Sequence, residues 1–542
     1  MGNQTHIIQN AITTTISEIF RGDFRRICEV KKAVLHLEAI YFCHGTCYLL
    51  KRENMPIKDQ LALYQRIELI PQSTTEFFEN NRECIINNWP EESALAAKPE
   101  ILYDALLASE FCVQPERVGY KIDKVSRDIA GAYYTSSDFS AQITYRALES
   151  YMDRKRRRAI DSDSFACCNE YENITFLDYS CGCGEFLLAV IQYFDNHVLG
   201  YSRKKLATQL RGVDVNPIAL MITIARIVSA VEAEDDENLL REVAKNFIVG
   251  NPLLHSDKIA PLEVRFDNFA LNRLYAETEG INCLELEQQN LVVLGNPPWE
   301  KLRFEERAFF RPVCPAISAI SQKNKREKEI KKLAVNWLEL LEYYQLLQDD
   351  YASVKKEIPK HPLLKVSLVG ELNTYAMFAE LASQLTEKDG FAAIIVKSAL
   401  VTSTCYSSCF RHFVNQGSLS EVFLFDNREK LFQIDSREKF CVLFFGGEHA
   451  GGIKVHYGLT KQEQILSSVP INVTSEELEL INPETGLLPN VADSKEFSFL
   501  LRTHRSLSVF AKEFPKCHFG RLVHLTAHAE HISTTQIGRA HV

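Results

Sequence analysis

Several absences bound the chain before any motif is considered. No uninterrupted apolar run approaches the roughly 20 residues of a membrane-spanning helix, so no membrane partner is expected. The opening Met1-Gly2-Asn3-Gln4-Thr5-His6 has no basic-then-apolar signal pattern, and His6 stands where a myristoylation signal places Ser or Thr. No Cys-x-x-Cys pair occurs among the 15 cysteines, which argues against a zinc ribbon, and no metal ligands are expected. Scattered thiols in a chain too large to need disulfides fit a reducing cytoplasm. Basic residues are not in excess: 61 Lys+Arg against 71 Asp+Glu give a net charge of −10. That balance argues against a uniformly basic nucleic-acid binder but leaves room for a local basic cleft on an acidic body.

What is present suits a globular chain of two or three domains, at 542 residues with 46% hydrophobic and 24% charged. The stretch Leu291–Trp299 organises it: an apolar run that stops at Gly295 and continues Asn296-Pro297-Pro298-Trp299. This reads as a buried strand ending in a rigid loop, because Pro cannot continue a central ladder. Asn296 offers a side-chain carbonyl and Pro297 a backbone carbonyl held by restricted φ angles, so together they can accept both hydrogens of a planar amino group. Trp299 supplies a flat face on which a conjugated ring can stack.

Upstream, strand after strand ends in a polar residue. Ile174–Asp178 is an apolar strand followed by a glycine-punctuated turn with Cys181, Gly182 and Gly184, then an amphipathic helix containing Phe186. Two glycines are too few for a dinucleotide fingerprint. Leu210–Asp214 places an acid where ribose hydroxyls are held in nucleotide-binding sheets, and Phe247–Leu253 carries Asn251. Before these lies Gly131-Ala132-Tyr133-Tyr134-Thr135, a tight polar turn leading into a helix, suited to a lid over a ligand with a ring and polar groups.

These segments, in this order from Gly131 to about Phe445, resemble the gamma group of DNA adenine-specific (N6) methyltransferases, in particular type IIG-like restriction-modification enzymes with an Asn-Pro-Pro-Trp motif. Ser136, where the family's tyrosine segment usually has Pro, and Asn251, where an Asp is commoner, depart from the pattern. The resemblance implies an α/β, Rossmann-like fold that uses S-adenosylmethionine, with a helical N-terminal region and the start of a C-terminal target-recognition domain. It implies that Tyr133, Tyr134, Thr135, Asp178, Cys181, Gly182, Gly184, Phe186, Asp214 and Asn251 hold the cofactor. Asn296, Pro297, Pro298 and Trp299 would be catalytic, acting on an adenine flipped out of double-stranded DNA. A nuclease or specificity partner is left open. Two rival readings are a glutamine methyltransferase of the release-factor type, whose Asn-Pro-Pro-aromatic loop holds an amide, and a non-catalytic DNA-recognition subunit. The long chain after Trp299 disfavours the first, and the joint presence of the acids, glycines and Asn296 disfavours the second.

The expected division is 1–125, a helical region; 126–445, the catalytic domain; 446–536, a linker and the start of a truncated recognition domain that includes Gly520–Thr526; and 537–542, a sequencing artefact. Those last six residues are encoded by ATC GGA AGA GCA CAC GTC, a string similar to a common adapter. Glu29-Val30-Lys31 with Asp23 has the spelling of a nuclease metal site but sits in a charged helical stretch, and a solvated helix face is expected. The run Arg154–Arg158 reads as a solvated helix end. Lys323, Lys325, Arg326, Lys328, Lys331 and Lys332 near Trp337 read equally as an exposed insertion or as charges that steer a polyanion. Strands are expected at Gly390–Lys397, Leu424–Asn427 and Lys439–Phe445, the last two antiparallel, with Phe432 in the turn between them near the site.

Overall fold

The computed structural model describes residues 2–507 apart from 97, 123–134, 162–170, 172, 274–279, 284–289, 371, 387–389 and 447–450. Tyr133, Tyr134, the 520–526 stretch and the 537–542 tail therefore lie outside the described residues. Apolar residues at three- and four-residue spacing fold the start of the chain into α1 (Gly2–Ile19), α2 (Ile27–Leu49), four shorter helices between Ile57 and Leu95, and α3 (Pro99–Leu107). Helix ends there. The expectation of helix to about residue 125 is corrected by a hairpin, β1 (Ser109–Gln114) with β2 (Arg117–Ile122), antiparallel with Gln114 opposite Arg117. Its half-buried faces are held by Val113 in the core and by the Phe111–Tyr120 ring pair at 4.9 Å, a cross-strand contact that helical spacing does not reveal.

Beyond the hairpin follow α4 (Ser137–Asp161), β3 (Thr175–Asp178), α5 (Glu185–His197), β4 (Leu210–Asp214), α6 (Pro217–Ala230), β5 (Phe247–Val249), β6 (Asn251–His255), β7 (Gly280–Ile281) and β8 (Leu291–Gly295). Then come α7 (Lys323–Asn336), α8 (Leu338–Glu357), α9 (Thr374–Leu385), β9 (Phe391–Lys397), β10 (Leu419–Asp426), β11 (Lys439–Phe445), β12 (Ile453–Leu459) and β13 (Ile471–Val473). Nine strands form one sheet in the order β13-β12-β10-β11-β9-β8-β3-β4-β5. The five from β9 to β5 run parallel, and β11 is inserted antiparallel between β9 and β10. The chain winds outward from β3 through β4 to β5, then returns to lay β8 and β9 on the other side of β3. This is a Rossmann-like α/β fold whose strand order reverses between β3 and β8, and crevices at such reversals, outside the carboxyl ends of the strands, are where open α/β sheets bind ligands.

Strands buried on both faces are apolar throughout, as parallel strands under helices must be: every residue of β8 is buried, as are the first six of β9. Helix α6 is apolar nearly all round because it packs on β4 and β5 with one side and on α2 with the other. The N-terminal region is thus a second layer over the sheet's helices.

Three expectations change here. The sheet does not end at Phe445: β12 adds parallel to β10 and β13 antiparallel to β12, so the boundary expected at 446 falls inside the sheet. The Arg154–Arg158 run is not wholly solvated, since Arg154 is buried and donates to the carbonyls of Gly390 (2.7 Å) and Gly446, joining the start of β9 to the end of β11. Trp337 does not flank the Asn296 loop; its indole N–H donates to the Arg25 carbonyl at 2.7 Å, docking the 306–360 insertion on the N-terminal region. The lysines of α7 are exposed, while Arg326 is buried against Glu306. Glu29 pairs with Arg26 at 2.9 Å on α2, Lys31 lies over the Tyr343 ring, and Asp23 accepts from the Arg25 amide, so each member of that triplet is engaged elsewhere. Among the described residues no helix is long and apolar enough to cross a membrane.

Candidate active site

The first half of the site is built by two acids and a glycine turn. Asp178 ends β3 and is 2% exposed; one of its oxygens accepts the Ser180 amide at 3.0 Å. Gly182 (φ +50°) and Gly184 (φ +85°) take left-handed conformations that side chains disfavour, and a Cβ on Gly184 would lie 2.7 Å from the Thr223 methyl. Asp214, at the end of β4, reaches across to accept the Gly182 amide at 2.9 Å and also accepts the Asn216 amide at 2.9 Å. One carboxylate thus fixes both the first turn and the second. Asn251 is buried, and its side-chain oxygen accepts the Leu253 amide at 3.0 Å. Cys181 and Phe186 are buried beneath the turn.

The acids are electrostatically unsettled. Burial pushes the Asp178 carboxyl up to about 8, partly offset by the Ser180 amide, and the nearby Asp214 carboxylate adds to the rise. Asp214 is raised by burial as well, against the pull of the backbone amides it accepts. Two acids raised in one crevice suit a cationic ligand, which would restore the charged form.

The second half begins beside Asp178. A Cβ on Gly295 would lie 2.8 Å from an Asp178 oxygen, so glycine is what lets the end of β8 lie against that carboxyl. Asn296 comes next, and its amide nitrogen donates to the Thr135 hydroxyl at 3.1 Å, joining two segments 161 residues apart. The loop beyond is held by α9: the Thr374 hydroxyl donates to the Pro298 carbonyl at 2.5 Å and accepts the Glu300 amide at 3.0 Å. That clamp uses the carbonyl of Pro298 and not that of Pro297. Trp299 is 5% exposed, edge-on to Phe432 at 5.3 Å and roughly parallel to Phe440 at 6.2 Å. Phe139 and Phe425 complete this wall, with Phe139 5.5 Å from Phe425 and 6.1 Å from Phe440. The buried Asn427 side chain donates to the Phe432 carbonyl and accepts its amide, which sets the Phe432 ring in place.

The described site residues therefore gather at one sheet edge in two groups that meet at Asp178 and Asn296. Sequence reading missed several supports. In α6, Thr223 donates to the Gly182 carbonyl at 2.7 Å, and Arg226 donates to the Cys183 carbonyl and to Glu185, each at 2.6 Å. A Thr and an Arg one turn apart in an otherwise apolar helix were the available signal. Tyr103 of α3 accepts from the Asn216 side chain at 2.6 Å, and Glu100 lies 3.9 Å from Arg226, so the N-terminal region braces both turns from behind.

No family model and no curated protein matches the chain. Among solved structures it is similar to the DrdV–DNA complex (TM-score 0.44, 12% identity, 87% of this chain and 46% of that one). It is also similar to the type IIG restriction endonuclease BpuSI (0.40, 12%, 81% and 40%) and to the methyltransferase subunit of a type I restriction-modification system from Streptococcus thermophilus (0.34, 10%, 93% and 93%). The chain spans 46%, 35% and 30% of the first three structures it matches. All these scores lie below 0.5, so the functional reading is built on this chain's own strand order and side chains.

Proposed function

We propose that this chain is a site-specific DNA methyltransferase that transfers a methyl group from S-adenosylmethionine to the exocyclic amine of an adenine flipped out of double-stranded DNA, within a restriction-modification or phage-defence system. One juxtaposition carries the reading: Asp178 and Asn296 end neighbouring parallel strands at the order reversal, with Gly295 bringing the two strand ends together. The crevice fits the cofactor by its donor set, since a buried carboxyl with a raised pKa suits a cationic group and the two left-handed glycines admit close backbone approach.

When bound, S-adenosylmethionine supplies an electrophilic methyl on a sulfonium. Asp178 would hold its cationic methionyl end and Asp214 its ribose, with Cys181, Phe186 and Asn251 bordering the pocket and Tyr133, Tyr134 and Thr135 over it. Extruding the adenine costs about a few kcal/mol of unstacking. Asn296 and the Pro297 carbonyl accept the amine's two hydrogens, which draws the nitrogen lone pair out of conjugation and aims it at the methyl. Trp299, its plane fixed by Phe432 and Phe440, gives the base a face to stack on.

The test is transfer of tritiated methyl into DNA followed by nucleoside analysis. Label on N6 of adenine is expected. Label on cytosine, or only on a glutamine of a protein substrate, would overturn the adenine assignment.

A further inference from the structure

A cleft of about 390 Å³ opens next to the Asn296 loop, between the chain leaving Trp299, the end of α8 and the segment before α9. Its floor is apolar, with Leu302, Ile358 and Leu368, and Lys301, Arg303 and Lys355 also line it. Arg303 pairs with Glu305 at 2.7 Å, and Glu357 below the cleft is taken by Lys360, so Lys301 and Lys355 carry its positive character. Both are exposed, on a chain whose net charge is −10. The cleft is also tied to the site. Lys301 forms a β-bridge with Asn373, the neighbour of the Thr374 that clamps Pro298 and Glu300.

We infer that this cleft seats the sugar and phosphodiester of a nucleotide flanking the extruded base, with Lys301 and Lys355 on the phosphate and the apolar floor under the sugar. The inference rests on the methyltransferase reading for which base is extruded, and on the cleft's own chemistry for what it takes. Two residues separate Lys301 from Trp299, at most about 7 Å of chain, while successive phosphates of one strand are about 3.4 Å apart along the duplex axis. A base on Trp299 therefore brings a phosphate of its own strand within reach of Lys301. Two cations over apolar atoms match a nucleotide unit better than an isolated anion.

The experiment measures binding of a fluorescent duplex to the 542-residue chain across a salt series, for the wild type, Lys301→Gln, Lys355→Gln and the double variant. Each single change is expected to lower the slope of log K against log salt by about 0.9, and the double variant by about twice that, with S-adenosylmethionine affinity unchanged. An unchanged slope in the double variant would overturn the inference. So would AMP or inorganic phosphate binding that is lost in the double variant while the duplex slope stays put, because the cleft would then serve a free anion. The two readings fail separately: DNA that is methylated with an unmoved slope removes the cleft alone. A slope that falls with no methyl transfer to DNA keeps the cleft and removes the methyltransferase.

Discussion

The two sides of the crevice are made of different materials. From β3 to β5 the site consists of carboxylates, backbone amides and glycines, with Asp214 accepting the Gly182 and Asn216 amides and Thr223 fixing the Gly182 carbonyl. From β8 to β10 it consists of rings, with Trp299, Phe139, Phe425, Phe432 and Phe440 packed against one another and a single side-chain amide at their edge. Directional bonds suit a ligand that is always the same. A flat apolar wall with one polar edge suits a ring that must be gripped, turned and released. The contrast predicts that damage to one side should separate from damage to the other.

The largest effect should come from Asn296→Ala, which removes the acceptor for the target amine. Methyl transfer should fall by about 10²–10³-fold or more, while calorimetry should show S-adenosylmethionine affinity almost unchanged. A parallel loss of cofactor binding would merge the two sides into one. Next comes Asp178→Asn, which keeps the shape but removes the charge facing a cation, at a cost of about 2–5 kcal/mol in cofactor binding. The same carboxyl gives a pH signature. In the free chain it is protonated below about 8 and must ionise to meet a cation. Binding near neutral pH should therefore release up to one proton, and affinity should fall as pH drops, by up to about tenfold per unit. Calorimetry in buffers of different ionisation enthalpy would detect the proton, and Asp178→Asn should abolish it. Trp299→Ala should cost about 1–3 kcal/mol in DNA-dependent turnover, with Trp299→Phe milder because a ring face remains. Equal activity of all three proteins would detach Trp299 from the base. The smallest effect should be that of Thr223→Val, which loses one hydrogen bond to the Gly182 carbonyl, about 1 kcal/mol of stability, read as a lower melting temperature.

The same contrast explains what the sequence made legible. Asp178, Asp214 and Asn296 could be read because each ends an apolar run, and a polar residue at a buried strand's end is a local signal. The wall could not. Phe139 sits in the first turn of α4 and meets Phe425 and Phe440 only because β10 and β11 return to the middle of the sheet, and no local pattern encodes that return. The β1–β2 hairpin was missed because its turn is Pro115-Glu116, without the Asn-Gly or Asp-Gly that marks most two-residue hairpin loops. Strand β12 was missed because it alternates an exposed Lys454 and a glycine with its buried residues, as a strand near a sheet's margin does, rather than running apolar. Arg154 was misjudged because charge runs are usually solvated, and only the fold brings the carbonyls of Gly390 and Gly446 to it.

The double-sided burial of α6 has a practical consequence for anyone who would shorten the gene. A helix whose residues from Pro217 to Ala225 are all buried lies between the sheet and α2. A fragment begun at residue 126 would hand one of those sides to water and, with it, lose Tyr103 and Glu100 from behind the turns they brace. A cut after Phe445 would strip β12 from β10 and leave an open strand edge as a template for aggregation. The smallest piece that can be cloned with the crevice intact therefore runs from the first helices to at least Val473.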